Sequence, residues 1–285
     1  MTENAESVVL KIEKSFDFTT ERYWNGFWER VKYKSGIAGL GVFGEDPDSK
    51  SKVLAEIHAF LWSRKTGNIQ NPTEKLDLIV FEDERGFYLK DKNGGIEFSS
   101  DTLVNGYRWE RIKKNVLDPL AEELGLDEYR KMQETFIRTA YTIGGMIIFP
   151  RRERAASINC ARGLNRVISD RVDLTVESIR RYFFKEKSPL SDVFEKNNDF
   201  FSLFGTGIAG FKAYTDFFFL NDIVSQDYMT VDVFIGKNDF SKSPAYPKSK
   251  EEWLIWKEKT SAFIKARNNR IRQALLDGTV DKQKY

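Results

Sequence analysis

Hydrophobic residues change their period near Pro150, and this restricts the fold more than any other feature of the chain. A strand turns alternate side chains to opposite faces, whereas a helix brings every third or fourth residue back to one face. Before Pro150 both periods occur; after it only the helical one does. Strands are predicted at Val8–Ile12, extended by Phe16 and Phe18, at Leu76–Glu82 and Gly86–Lys90 around Asp83-Glu84-Arg85, and at Ile96–Ser99 after the Asn93-Gly94-Gly95 turn. A further strand, Tyr141–Pro150, is expected to bend at Gly144-Gly145. Helical spacing marks Lys52–Lys65, a stripe of Trp109, Ile112, Val116 and Leu120 interrupted by Pro119, and Leu126–Ala140. In the second half it marks Ile158–Ile168, Val172–Phe183 with Asp173 as its cap, Leu190–Phe204, Phe211–Ser225 and Lys250–Leu276. The fold class this predicts is α+β, with a short β-rich N-terminal half (about 1–150) packed on a mainly helical C-terminal half (about 151–276) and a frayed tail at 277–285. Gly205–Gly210 and Lys237–Lys250 read as loops rather than linkers, so residues 1–285 are expected to form one compact domain.

Composition removes several functional classes. One cysteine, Cys160, excludes an intrachain disulfide and favours a reducing, cytoplasmic setting. No run approaches the roughly 18 apolar residues of a membrane helix, and the N-terminus lacks the pattern of a signal peptide, so no membrane partner is expected. With a single histidine, His58, a zinc cluster is excluded and any Ser-His-Asp arrangement would have to pass through that residue. His58 itself is expected to be partly buried beside one partner, and Cys160 buried and inert. Neither GxxxxGKS nor GxGxxG occurs, and no cofactor is expected.

The net charge of +2 conceals blocks of alternating sign. Residues 151–187 carry 10 basic and 5 acidic side chains, and 8 of those 10 are arginine. If Ile158–Ile168 is helical, Asn159, Arg162, Arg166 and Asp170 form a polar stripe, with Arg171, Arg180 and Arg181 just downstream. Arginine's planar fork suits phosphate and carboxylate, so Asn159, Arg162, Arg166, Arg171, Arg180 and Arg181 are the candidate anion-binding residues, with nucleic acid or a nucleotide as partner. The competing reading is a set of structural ion pairs: Arg162–Asp170, Arg166–Asp170 and Glu177–Arg181 all lie within reach along a helix.

Two other classes compete with anion binding. A magnesium-dependent nuclease or phosphodiesterase would draw on Asp46 and Asp48, or on Asp77 with Glu82 or Glu97 and Lys90, although the ordering matches such enzymes loosely and no metal site is assigned. The other is a non-catalytic interaction protein. The aromatic segment from Phe194 to Tyr246 carries net negative charge and is expected to pack in the core rather than stack bases. The C-terminal helix, with Lys257, Lys265, Arg267, Arg270 and Arg272, is expected to present a solvated basic face. No reaction is specified by the sequence.

Several strings together resemble a family of uncharacterised bacterial and phage proteins, a domain of unknown function. They are Asp46–Ser49; Leu61-Trp62-Ser63-Arg64; Ile143-Gly144-Gly145 with Ile148-Phe149-Pro150; Ile158-Asn159 with Ala161-Arg162-Gly163; and Ile168 through Asp173-Leu174-Thr175, Glu177 and Ile179-Arg180-Arg181. Ser188-Pro189-Leu190, Asp199-Phe200-Phe201 and Asp216-Phe217-Phe218 complete the set, which spans about residues 45–270. The chain departs from the resemblance at Lys65-Thr66-Gly67-Asn68, where the family carries Pro-Asn-Gly. The resemblance implies a bacterial intracellular protein and assigns no activity.

Overall fold

The computed structural model describes residues 47–103, 112–237, 239–240 and 245–276. The expected strands at Val8–Ile12, Phe16 and Phe18, the residues Asp46 and Trp109, and the tail 277–285 lie outside them. A short helical turn, α1 (Pro47–Lys50), leads into α2 (Lys52–Trp62). Ser51 caps α2, its hydroxyl accepting from the Leu54 amide at 3.1 Å. The helix ends three residues before the expected Lys65, where Ser63 leaves helical geometry and its hydroxyl accepts from the Leu78 amide at 2.8 Å.

Strands β1 (Leu78–Asp83) and β2 (Gly86–Asp91) form a hairpin, β3 (Glu97–Thr102) follows, and β4 (Met146–Pro150) completes a four-stranded antiparallel sheet in the order β1-β2-β3-β4. The two-residue turn Glu84-Arg85 needs glycine after it. Gly86 has a φ of 142°, and a Cβ there would meet the Ser49 carbonyl at 1.9 Å. β4 is shorter than the expected Tyr141–Pro150, because Ile143–Gly145 forms a 3₁₀ turn. A Cβ on Gly144 would lie 2.5 Å from the Ile264 carbonyl, so this glycine lets the C-terminal helix approach the start of β4.

Between β3 and β4 come a π-helical turn (Lys113–Leu117), α3 (Asp118–Leu124) and α4 (Leu126–Ala140). Pro119 follows the π-helical turn directly: the chain is helical on both sides of it, and the expected interruption takes the form of a switch from π to α winding. After β4 come α5 (Ile158–Leu164), α6 (Val172–Phe183), α7 (Ser191–Glu195), α8 (Asn198–Phe201), α9 (Gly207–Phe217) and α10 (Lys250–Leu276). The helix expected over Leu190–Phe204 is broken: the Asn197 side-chain Nδ2 donates to the Val193 carbonyl at 2.7 Å and the Ala156 carbonyl at 2.8 Å, and the chain turns there. The helix expected over Phe211–Ser225 begins earlier and stops at Phe217; Phe219 has a φ of 54°. Among the described residues every strand precedes residue 151, and the class is α+β; the first part is not purely β-rich, since it also carries α2, α3 and α4.

Buried hydrophobic residues from Leu54 to Ala274 form one continuous cluster. Its densest part is the aromatic segment: Phe217 and Phe218 rings lie 4.8 Å apart, Tyr214 and Phe218 4.9 Å, and Phe204 and Tyr214 5.1 Å, with Trp62 5.2 Å from Phe218. α10 packs on this cluster; Lys265, Arg270 and Arg272 are exposed, as its expected solvated basic face requires, but Arg267 is not. Arg267 is fully buried; its Nε donates to the Phe218 carbonyl at 2.9 Å and its Nη1 to the Gly144 and Met146 carbonyls at 2.9 and 2.6 Å. Its neighbour Asn268 accepts from the Gly144 amide and donates to Thr142 Oγ1, both at 2.7 Å. Arg270, on the surface, pairs with Asp222 at 2.6 and 2.8 Å.

His58 is fully rather than partly buried. The Trp62 indole N–H donates to His58 Nδ1 at 2.9 Å, so the ring hydrogen is on Nε2 and is donated to Ser100 Oγ at 3.0 Å; Ser100 in turn donates to Asp48 Oδ1 at 3.2 Å. Burial, with the Arg267 charge second, pushes the His58 pKa down to about 3. Below pH 6.5 the unfolded chain therefore takes up a proton that the folded chain refuses until about pH 3. Stability from this residue is complete above pH 6.5 and falls as pH drops towards 3, by up to about 1.4 kcal/mol per pH unit. Urea midpoints at pH 7.5 and pH 5 should thus diverge less in His58→Gln than in the parent chain; equal divergence would show that other groups set the acid response.

Candidate anion-binding site

The six candidate residues begin on α5, and the alternation of β3 decides what they meet. Phe98, Ser100 and Thr102 face one side of the sheet, and Ser100 receives His58 from α2. Ser99 and Asp101 face the other side, where α5 lies. There Asn159 Nδ2 donates to Ser99 Oγ at 3.1 Å, and Arg162 Nη1 donates to Asp101. Arg162 is fully buried, with Nε on Thr175 Oγ1 at 3.0 Å. Its Nη2 lies 3.2 Å from Asp170 Oδ1 but without hydrogen-bond alignment, so the expected Arg162–Asp170 pair exists as a close charge contact.

The expected polar stripe stops with the helix. α5 ends at Leu164 because the Asn165 side chain accepts from the Val167 amide at 2.9 Å, and the chain reverses through Ser169 and Asp170 at φ of 49° and 57°. Arg166 is therefore exposed and off the helix; it makes no ion pair among the described residues, and the expected Arg166–Asp170 pair does not form.

α6 carries the remaining three. Asp173 is not the cap expected of it: Arg171 holds the N-cap position through its backbone, and the buried Asp173 carboxylate accepts from Arg171 Nε at 3.1 Å and from the Phe234 amide at 2.8 Å. Arg171 also donates to the Ala245 and Ile235 carbonyls, both at 2.9 Å, tying the loop 233–246 to α6. Arg180 and Arg181 share the buried carboxylate of Glu177, at 2.8 and 2.7 Å, and Arg180 reaches Glu186 at 2.8 Å. The hydrogen bonds to Glu177 raise the Arg180 pKa above its ordinary value, and the bond from Arg180 lowers that of Glu186. The arrangement thus turns Arg162, Arg171, Arg180 and Arg181 onto carboxylates and does not bring the six residues to one opening.

What opens beside them is a cavity of about 360 Å³ between α6 and the 235–248 loop. Val167, Leu174 and Ile235 make its apolar floor, and Arg171 lies at its back. Phe240 and Tyr246 supply rings, and the exposed Lys237 and Lys248 supply charge, opposed by Asp239 and Glu252. Sequence pattern alone marks Lys237–Lys250 as a loop and singles out none of these residues. The available signal was the interleaving of lysine and aromatic residues.

The carboxylates of the nuclease reading go to other partners. Asp77 lies 3.5 Å from Lys92 Nζ and Glu97 3.5 Å from Arg151 Nη1. Among the described residues no three His, Cys, Asp or Glu side chains come together as a metal site. Cys160 is half-buried rather than buried. No described helix is long and apolar enough to cross a membrane.

A family model described as a family of unknown function (DUF6994) matches residues 12–271. The chain belongs to this family. The match covers every described strand and runs to within a few residues of the end of α10, so the DUF6994 fold includes both the sheet and the helices that surround it. Neither a curated protein nor a solved structure matches this DUF6994 chain.

Proposed function

We propose that this DUF6994 protein binds a small anionic ligand of the nucleotide type in the cavity beside α6. The observation that carries the reading is the cavity itself: it adjoins the Arg-rich segment through Arg171 and combines two rings, an apolar floor and two exposed lysines. Its volume of about 360 Å³ suits a mononucleotide rather than a duplex. Base stacking on Phe240 or Tyr246, with phosphate held by Lys237 and Lys248, uses each wall for the chemistry it offers. The half-buried single thiol of Cys160 supports an intracellular, cytoplasmic setting, as proposed from the sequence.

The test is a titration with fluorescently labelled ADP, alongside a labelled single-stranded 20-mer. Binding of the nucleotide should weaken with salt, and should weaken by about tenfold or more in the double variant Lys237→Ala, Lys248→Ala. An unchanged affinity in that variant would sink the proposal. Tighter binding of the 20-mer than of ADP would move it to nucleic acid.

A further inference from the structure

A second cavity, of about 240 Å³, lies between residues 64–69 and α9. Ala209, Lys212, Ala213 and Asp216 present one face of α9 to it, at helical spacing. At its inner end is Arg64. The Arg64 guanidinium carbon lies 4.6 Å from the Phe217 ring centre and 4.5 Å from that of Phe219, so two rings hold it. Phe219 takes up a φ of 54° to place its ring there, a conformation costly for an aromatic residue.

Arg64, half-buried, differs from the buried arginines in what satisfies it. Arg162, Arg171 and Arg180 face carboxylates, and Arg267 is closed in by three carbonyls. Arg64 donates from Nη2 to the Phe217 carbonyl, leaves Nε buried without a partner, and makes no ion pair among the described residues. The carboxylate whose charge acts on Arg64, Asp216, bonds to other groups: it accepts from Lys212 at 2.5 Å, Asn221 at 2.5 Å and Tyr228 at 3.0 Å. Burial lowers the Arg64 pKa to about 10, which leaves it charged at neutral pH. A guanidinium kept charged, held by two rings and lining a cavity has only the Asp216 charge, beyond ion-pair distance and already bonded elsewhere, to offset its desolvation. Lys65 adds positive charge to the lining, Lys212 does so with its charge paired to Asp216, and Ile69 and Ala209 add apolar surface.

We propose that this cavity binds a small molecule carrying one oxyanion on an apolar body, with the oxyanion on Arg64 and the body between Ile69 and α9. The site is separate from the nucleotide cavity and shares no lining residue with it. Two strings of the family resemblance, Leu61-Trp62-Ser63-Arg64 and Asp216-Phe217-Phe218, are brought together here, and the nucleotide reading uses neither.

The experiment is calorimetric titration of the full chain with phenyl phosphate and benzoate, each compared with its ringless counterpart, inorganic phosphate or acetate. At least one ring-bearing anion should bind about tenfold or more tightly than its counterpart, and which one does so identifies the head group as phosphate or carboxylate. Arg64→Gln should weaken that binding by about tenfold or more. So should Ile69→Asp, which sets a negative charge at the rim; Ile69 is 79% exposed, so this variant decides the matter even if Arg64→Gln does not fold. The Lys237→Ala, Lys248→Ala variant should bind these probes as the parent does, which separates this site from the first. Failure of both ring-bearing anions to bind, equal binding of the ringless ones, or unaltered affinity in Ile69→Asp would overturn the proposal.

Discussion

Arg267→Ala is expected to cost about 3–5 kcal/mol of folding stability, read as a lower urea midpoint with an unchanged slope. The carbonyls of Phe218, Gly144 and Met146 all accept from this one side chain. Each is left inside the protein without a donor when it is removed, at about 1–3 kcal/mol apiece. The alanine also opens a cavity against Trp62, whose ring centre is 5.8 Å from the guanidinium carbon. Burial lowers the Arg267 pKa to about 9, so the residue remains a cation through the neutral range, and removing it also relieves some desolvation cost. The lost carbonyl bonds and the cavity outweigh that relief. A loss below about 1 kcal/mol would show that water reaches the three carbonyls.

Asp173→Asn is expected to cost a similar amount, about 3–5 kcal/mol, for the opposite reason: it leaves a buried cation without its counter-ion. Arg171 is 4% exposed and Asp173 0%, so water cannot replace the lost charge. The asparagine can still accept one bond but not the set made by Arg171 and the Phe234 amide. The damage should spread to the loop 233–246, which Arg171 and Asp173 hold through Ile235, Ala245 and Phe234. Hydrogen exchange at Phe234 and Ala245 should accelerate along with the loss of stability. Adding Arg171→Met to Asp173→Asn removes both charges and should recover part of the loss; strict additivity of the two changes would mean that the pair is not coupled.

Elements set by period alone were legible in the sequence. Leu126–Ala140, Val172–Phe183 and Lys250–Leu276 begin and end where apolar spacing places them, and the β1–β2 hairpin follows from its turn. What could not be read is where a side chain overrides the period. Asn165 and Asn197 take up backbone groups and end helices that the apolar pattern would extend. The Arg-rich segment was legible as a place where charge matters but not in its direction. Arg162 looks solvent-facing on a helix wheel, yet Asp101 lies across from it on β3, sixty-one residues earlier in the chain. Pairs along one helix, such as Glu177–Arg181, were within reach of sequence reasoning; pairs across the fold, such as Arg162–Asp101 and Arg270–Asp222, were not. Likewise Arg64 carries no signal of its own in the sequence, because its environment is built by Phe217 and Phe219, more than a hundred and fifty residues further on.

The reach of α10 has a consequence for synthesis. Arg267 and Asn268 bond to groups on Thr142, Gly144 and Met146, and the chain up to β4 leaves the ribosome well before those two residues have been made. At about 5–20 residues per second the intervening stretch takes several seconds or longer to translate. Through that interval the Gly144 amide and carbonyl, the Met146 carbonyl and one flank of Trp62 wait without their final partners. The sheet can pair early, but the core closes only when α10 arrives, so a nascent chain halted before residue 250 exposes the surface that chaperones recognise.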